Sequence, residues 1–287
     1  MASTRDIRRR IKSVKNTRQI TKAMELVAAS KMRRAQQRAL ASRPYAERLT
    51  WVLADLAETI SQMDPDTLHP LLQRREVQNA GIIHISPNRG LCGGLPGNMN
   101  RRASALALEL GQSRIVAIGR KGRDFFRRVH VPIIAEFTEL GDYPDYADVL
   151  PIARVVIDDY LQGKLDRVII VYPYFVNTMT QEPRVQQLLP IEPPADTTTH
   201  AVDYIYEPSR EAVLAELLPR YVEMQIYAAV LEAVASEQSA RMVAMRNATD
   251  AAEEMIEGLT LTYNKARQEQ ITTELLDIVG GVAGLSK

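Results

Sequence analysis

The last third of the chain, between Tyr221 and Thr273, contains an apolar repeat that leaves few alternatives for its fold. Steps of four and three residues alternate from Met224, and most of the residues they reach are apolar or small. These positions are Met224, Ala228, Leu231, Ala235, Gln238, Met242, Met245, Thr249, Ala252, Ile256, Leu259, Tyr263, Ala266, Gln270 and Thr273. No proline interrupts the stretch. The pattern predicts one helix, roughly 80 Å long at 1.5 Å per residue, that winds left-handedly around a partner helix.

Residues 5–60 show the same repeat. Its positions are Ile7, Ile11, Val14, Arg18, Thr21, Glu25, Ala28, Met32, Ala35, Ala39, Ser42, Ala46, Leu49, Leu53, Leu56 and Ile60. Pro44 lies within it, and a helix that passes through a proline should kink. Two such segments at opposite ends of one chain predict an antiparallel coiled coil formed by residues 1–62 and 208–287. Residues 63–207 are then a domain inserted between the two arms.

The inserted region alternates short apolar runs with helical patterns. Strands are predicted at 81–86, 114–119, 133–137, 167–175 and near 184–189, and helices at 98–111, 120–129 and 146–161. This alternation is typical of a small, mostly parallel α/β sandwich. Residues 190–210 are interpreted as a return loop, and Glu211–Leu218 as a short lead helix. Pro219 would then lie in the first turn of the long helix.

Composition excludes several classes of protein. Hydrophobic residues make up 46% and charged residues 25% of the 287, as in ordinary globular proteins. No apolar run approaches the ~20 residues that span a bilayer, and MASTRDIRRR does not resemble a secretory signal. The single cysteine excludes an internal disulfide, and the four histidines lack the spacing of metal ligands. We therefore expect a cytoplasmic protein without metal or cofactor, and any membrane role should be peripheral.

Positive charge is concentrated at the start of the chain. Residues 1–50 hold 14 Lys and Arg against 3 Asp and Glu, a net charge of +11, although the whole chain has only +1. Such a segment favours an acidic partner, which can be nucleic acid, an anionic membrane surface or an acidic protein loop. Its cations include Arg8, Arg9, Arg10, Lys12, Lys15, Arg33, Arg34 and Arg38. A nucleic-acid-binding basic coiled coil therefore stays open as an alternative function.

The first helix has an irregular seam. Arg18 and Glu25 occupy seam positions, whereas the apolar residues Ile20, Met24 and Val27 fall on the opposite side at 100° per residue. Either the three apolar residues contact something outside the coiled coil, or a local stutter turns them back towards the partner helix.

No part of the sequence predicts an active site. The glycines in Arg89–Asn98 follow a strand and precede a helix, but their spacing does not match G-x-G-x-x-G, and no P-loop motif occurs. We interpret them as tight turns. Cys92 has no histidine near it in sequence and is expected to be a small buried thiol. The acidic pairs Asp158-Asp159 and Glu253-Glu254 have the pattern of solvated helix faces.

Four segments resemble the gamma subunit of the bacterial rotary ATP synthase. They are ITKAMELVAASKMRRAQ (Ile20–Gln36), RGLCGGL (Arg89–Leu95), ASEQSARMVAMRNATD (Ala235–Asp250) and LTYNKARQEQITTEL (Leu261–Leu275). The resemblance covers essentially the whole chain. It implies an α/β fold in which the terminal helices form a long antiparallel coiled coil, with an inserted Rossmann-like α/β domain that lacks a nucleotide site.

The resemblance also implies a function and partners. The chain would be the non-catalytic, central-stalk rotor of a proton-translocating ATP synthase, at the cytoplasmic face of the cell membrane but not inserted in it. Its partners would be three alpha and three beta subunits, the epsilon subunit and the membrane c ring, and not nucleic acid. Rotation driven by proton flow would be coupled to conformational change in the beta subunits, and the chain would help regulate ATPase activity and proton flow.

The residues that match the family pattern supply the expected contacts. Contacts with beta are expected from Arg8, Arg9, Ile20, Met24, Val27, Arg241, Arg267 and Gln268. Tyr206 and Glu207 are expected beside the c ring and epsilon.

Overall fold

The computed structural model describes residues 3–56, 68–192 and 206–285, and five long or medium helices and five strands lie in these ranges. In chain order they are α1 (Thr4–Asp55), β1 (Ala80–Ile85), α2 (Leu95–Leu110), β2 (Ser113–Ile118), α3 (Arg120–Arg128), β3 (Ile133–Phe137), α4 (Tyr146–Leu161), β4 (Arg167–Phe175), β5 (Gln181–Leu189) and α5 (Arg210–Leu285). The elements predicted between β1 and β5 are confirmed to within three residues at each end. The predicted Ile60 seam position and most of the return loop lie outside the described residues.

The strands form one sheet in the order β3-β2-β1-β4-β5. β1 pairs in parallel with β2 and β4, β2 pairs in parallel with β3, and only β5 runs antiparallel to its neighbour β4. The prediction of a mostly parallel α/β sandwich is therefore confirmed. β2 and β3 lie on one side of β1, and β4 and β5 lie on the other side. The strand order therefore reverses between β1 and β4, and open α/β sheets usually bind ligands at the carboxyl ends of the strands at such a point.

Alternating side chains of the strands pack into two separate hydrophobic cores, one on each face of the sheet. One core contains Ile83, Val116 and Ile170 together with buried residues of α1, α4 and α5. The other contains Ile82 and Ile115 with buried residues of α2 and α3. Successive side chains of a strand point to opposite faces, so each face of the sheet is covered by its own helices. This is why β1 is buried along its whole length.

The sequence prediction at the start of the last helix is wrong. No separate lead helix precedes Pro219; α5 is continuous from Arg210 to Leu285 and contains Pro219 in its tenth position. A proline inside a helix removes one backbone hydrogen bond, a loss that the packing of neighbouring apolar side chains can offset. Leu214, Leu218 and Val222 surround this position in sequence and are all buried in the core. α1 likewise passes through Pro44.

The chain divides into two compact units that do not coincide with the predicted domain limits. One unit comprises residues 1–27 and 242–287, and the other comprises residues 28–241. The second unit contains the sheet and also the inner parts of α1 and α5. The limits at residues 62 and 208 describe where the chain enters and leaves the inserted region, and they stay a prediction.

Within the first unit, the ends of α1 and α5 pair antiparallel. The Thr4 hydroxyl donates to Gln270 Oε1 at 3.3 Å, whereas Thr21 Oγ1 lies 2.7 Å from Thr249 Oγ1. Residues later in α1 therefore contact residues earlier in α5, as antiparallel helices do. Seam residues such as Ile7 are buried there. The predicted antiparallel coiled coil is confirmed, and its heptad positions Thr21, Met245 and Thr249 are buried.

A buried histidine gives the second unit a pH-dependent stability. His84 on β1 is fully buried, its Nε2 lies 2.9 Å from Asn100 Oδ1, and its ring packs edge-to-face on Phe126. Burial lowers the pKa of His84 to about 4, although the hydrogen bond to Asn100 opposes this shift. The unfolded chain, with a histidine pKa near 6.5, therefore binds a proton that the folded chain excludes.

We expect stability to fall as pH decreases below about 6.5, by about 1.4 kcal/mol at pH 5.5 relative to pH 8 from this residue alone. Urea unfolding of the chain at both pH values measures this loss, with His84→Gln as the comparison. The variant lacks the titrating group and should lose correspondingly less stability. Equal losses in the two proteins would contradict the assignment.

Candidate interaction surfaces

The apolar residues opposite the seam of α1 lie largely on the outside of the first unit. Ile20 is 61% exposed and Val27 is 54% exposed, while Met24 is partly buried. A stutter that buried all three against α5 would have left little of Ile20 and Val27 accessible. In the chain itself, these two side chains form part of an exposed apolar strip, whose contact with a partner stays a prediction.

The charged residues at seam positions are satisfied by α5. Glu25 is only 5% exposed, and its carboxylate accepts from Lys22 Nζ at 2.9 Å and from Arg246 Nε at 3.1 Å. The hydrogen bond from Lys22 holds the pKa of Glu25 below its usual value, burial opposes this, and Arg246 reinforces it. Arg18 donates to Glu253 at 2.7 Å. Polar pairs at seam positions specify the alignment of two helices at some cost in stability.

Four of the five polar residues predicted to contact beta lie on the surface of the first unit. Arg8, Arg267 and Gln268 are exposed. Arg9 is also exposed and forms an ion pair with Asp6 at 3.1 Å, one turn earlier in α1. Such surface pairs contribute little to stability, so Arg9 can exchange Asp6 for another carboxylate at small cost.

Arg241 has a different environment from these residues. Its side chain is 12% exposed, and its guanidinium donates to Glu237 Oε1 at 2.6 Å and to the Gly90 carbonyl at 3.4 Å. It therefore joins α5 to the turn that follows β1. A contact between Arg241 and a partner stays a prediction, and it would have to form around these internal bonds.

Part of the basic surface of α1 binds within the second unit, which sequence reasoning missed. Lys31 Nζ lies 2.5 Å from Asp142 Oδ2, and Arg38 donates to Asp145 Oδ1 at 3.4 Å. The Arg38 guanidinium also stacks on the Tyr143 ring, 5.4 Å from its centroid. The sequence shows the two groups that form these contacts, namely cations on one face of α1 and acidic residues in the loop before α4. Nothing in sequence order showed that these distant segments meet.

Tyr206 and Glu207 lie just before α5. The Tyr206 hydroxyl donates to Asp55 Oδ2 at 2.5 Å, and the Arg210 guanidinium stacks on its ring. Glu207 is exposed. Tyr206 thus ties the start of α5 to the end of α1, and Glu207 is the more accessible of the two for a partner.

The crevice at the carboxyl ends of β1 and β4 is occupied by α5. The space left there is about 50 Å³, and its lining includes Ser86, Gly119, Val230 and Ala233. Sites for ligands of nucleotide size have volumes of roughly 300 Å³ or more. α5 side chains therefore leave too little space for a nucleotide beside Ser86, whereas an adjoining polar hollow of about 320 Å³ is lined by Arg89, Arg120 and Glu139.

Cys92 is a buried structural thiol, as predicted. Its side chain is inaccessible, and burial together with the nearby Glu237 carboxylate raises the pKa of the thiol to about 11. Since the thiolate is the nucleophilic form, the thiol is unreactive at neutral pH.

Comparison with known proteins gives a consistent result over the full length. A family model described as ATP synthase matches residues 3–285. The chain is 55% identical to the ATP synthase gamma chain of Dehalococcoides mccartyi over 287 residues, which is all of both chains. It is 53% identical to the ATP synthase gamma chain of a Roseiflexus species, again over all of both chains.

Solved structures with a similar fold come from mitochondrial ATP synthases. A chain of the Euglena gracilis enzyme superposes with a TM-score of 0.67 at 20% identity, covering 98% of this chain and 94% of that one. A chain of the central stalk and c ring of Tetrahymena thermophila gives a TM-score of 0.63 at 24% identity, covering 80% and 99%. At these identities, the likeness concerns the fold. The nucleic-acid alternative finds no support in any of these comparisons.

Proposed function

The chain belongs to the gamma-chain family of the ATP synthases, and on this premise we propose how it works as the rotor of the central stalk. It is a non-catalytic subunit, and ATP is made on the beta subunits. The observation that supports a mechanical role best is the antiparallel pairing of α1 and α5 in the first unit, with apolar side chains left exposed on its outer surface. No helix in the described ranges is long and apolar enough to cross a membrane.

The two-helix shaft, residues 1–62 and 208–287, turns inside a ring of three alpha and three beta subunits. A pair of helices has no threefold symmetry, so each beta subunit meets a different side of it. Differences in contact free energy then bias the three catalytic sites towards different conformations. Rotation exchanges these contacts in turn, which couples the proton-driven c ring to ATP synthesis.

Particular residues make the contacts in this proposal. Ile20, Met24 and Val27 pack against the apolar inner surface of the ring. Arg8 and Arg9, with Arg241, face acidic loops of beta. Arg267 and Gln268 bond a beta loop when a catalytic site opens.

The foot of the assembly is formed by the domain of residues 63–207. In the proposal, it rests with epsilon on the c ring beside Tyr206 and Glu207. The chain is then a peripheral protein at the cytoplasmic face of the cell membrane, held there through its partners.

Reconstitution tests this function. The purified chain, mixed with alpha and beta, is expected to form a stoichiometric complex with ATPase activity that neither the chain nor beta has alone. Replacing both Arg267 and Gln268 with alanine removes charged and polar contacts worth about 1.5 kcal/mol or more, so turnover should fall about tenfold. Lys265→Ala, exposed on the same helix, serves as the matched control.

Two results would count against the proposal. Full ATPase activity of alpha and beta without the chain would remove the rotor role. Unchanged turnover in the Arg267 and Gln268 double variant would remove the role of those residues and leave the rotor role intact.

A further inference from the structure

The end of β4 extends beyond its neighbour β1. The β1–β4 ladder ends at the pair His84 and Val171, whereas the β4–β5 ladder continues to Phe175. Residues 172–175 of β4, the β4 extension, therefore have a strand on one side only. Backbone groups on the other side need hydrogen-bond partners from elsewhere.

Side chains of α5 supply these partners. The Phe175 N–H donates to Glu232 Oε2 at 3.4 Å, and Ser236 Oγ donates to the Pro173 carbonyl at 2.9 Å. Pro173 faces Pro183 across the β4–β5 ladder, and neither residue has an N–H to donate. The Ser236 hydroxyl thus satisfies a carbonyl on the side of β4 that has no neighbouring strand.

One turn further along, α5 also binds the tip of the β4–β5 hairpin. Ser239 Oγ donates to the Thr178 carbonyl at 2.8 Å and accepts from Gln181 Nε2 at 3.4 Å. The tip is itself ordered by Asn177, whose Oδ1 accepts from the N–H groups of Met179 and Thr180. The helix therefore attaches to a turn that already has a defined shape.

These two serines differ from four threonines of the same helix. The hydroxyls of Thr249, Thr260, Thr262 and Thr273 each donate to the carbonyl four residues earlier in α5. The hydroxyls of Ser236 and Ser239, which are fully buried, donate to the hairpin. Serine is a weaker helix former than alanine, so the helix gains nothing intrinsic from serine at these positions.

We propose that Ser236 and Ser239 are positioning residues that fix the rotational setting of α5 against the β4–β5 hairpin. Together with the bonds of Glu232 and Gln225 to the same hairpin, their hydroxyls pass torque between the α/β body and the shaft helix. This proposal rests on the proposed rotor function. Interdigitated apolar side chains of α5 in the core resist both separation and rotation of the helix. Hydrogen bonds to fixed carbonyls have a preferred direction and therefore resist rotation of the helix about its own axis.

The test uses the complete ATP synthase in sealed vesicles, with Ser236→Ala and Ser239→Ala combined in this chain. Loss of the three hydrogen bonds made by these hydroxyls should increase transient opening of the hairpin, so amide hydrogen exchange over residues 176–181 should be about tenfold faster. ATP-driven proton uptake per ATP hydrolysed should fall roughly two-fold. If the double variant does not assemble, amide exchange and proton uptake per ATP are measured for each single variant against the wild type.

Ala233→Gly is the matched control. Ala233 is buried on the same helix and donates no side-chain hydrogen bond, and glycine there weakens the helix by about 1 kcal/mol. The proposal predicts normal proton uptake per ATP in this variant. An unchanged ratio in the serine variants, or an equal fall in Ala233→Gly, overturns the proposal. If the wild-type complex itself shows no ATP-driven proton uptake, the rotor function fails, and this proposal fails with it.

Discussion

Replacing Ile20 and Val27 together with glutamate is expected to abolish assembly of the chain with alpha and beta while the chain itself still folds. Both side chains are more than half exposed in the chain, so the substitutions remove little from its own core. In the proposed assembly, the same positions lie against an apolar surface. A carboxylate desolvated there without a partner costs several kcal/mol, so association should weaken at least ~100-fold.

Size-exclusion chromatography of the chain with alpha and beta measures this loss, and circular dichroism checks that the helices persist. Leu108→Glu is the matched control, since Leu108 is 84% exposed on α2 and has no assigned contact. The control should assemble normally. A double variant that assembles and hydrolyses ATP as the wild type does would show that these residues do not face the ring.

Gly119→Ala is expected to destabilise the second unit strongly, because two separate costs act at this position. Gly119 joins β2 to α3 with φ of 92°, a conformation that residues with a side chain rarely adopt. A Cβ at this position would lie 1.9 Å from the Ser86 carbonyl oxygen, which belongs to backbone and cannot move aside easily. Strain and overlap together should cost about 3–5 kcal/mol.

Two further glycines separate these contributions. Gly163 has φ of 69° but nothing within 4 Å of the added Cβ, so Gly163→Ala should cost about 1–2 kcal/mol from conformation alone. Gly97 lies in α2 with open space around it, and Gly97→Ala should stabilise by up to about 1 kcal/mol. Urea unfolding of all three variants measures their free energies of unfolding, which should decrease from Gly97→Ala to Gly163→Ala to Gly119→Ala. A Gly119→Ala variant as stable as Gly163→Ala would show that Ser86 and its strand can shift.

The Ser86–Gly119 contact also places a side chain of the protein at the turn between β2 and α3. Ser86 follows β1, and its hydroxyl accepts from the Gly122 N–H at 2.7 Å, at the start of α3. In nucleotide-binding folds, an N–H at the start of a helix can donate to a phosphate. Here the Gly122 N–H donates to the Ser86 hydroxyl instead. Close approach of Gly119 and Gly122 to Ser86 makes this possible.

Sequence periodicity was sufficient to predict the two long helices, the antiparallel pairing and the order of strands and helices. The spacing of apolar residues reflects which side of a helix or strand faces a core. This spacing can be read from a short stretch of sequence without knowing the rest of the fold. Seam positions such as Ala28, Ala35 and Met242 were assigned correctly for this reason. The irregular seam at Arg18 and Glu25 was also visible, although its partners were not.

The tertiary structure alone decided which distant groups meet. The pairing of Glu25 with Arg246, the binding of Lys31 and Arg38 to the loop before α4, and the serine contacts of α5 with the β4–β5 hairpin each join segments far apart in the chain. The same applies to Pro219, where surrounding buried side chains sustain a helix that local propensity would interrupt. Local patterns specify elements because their energetics involve near neighbours. Contacts between elements depend on a packing arrangement that no single stretch of sequence contains.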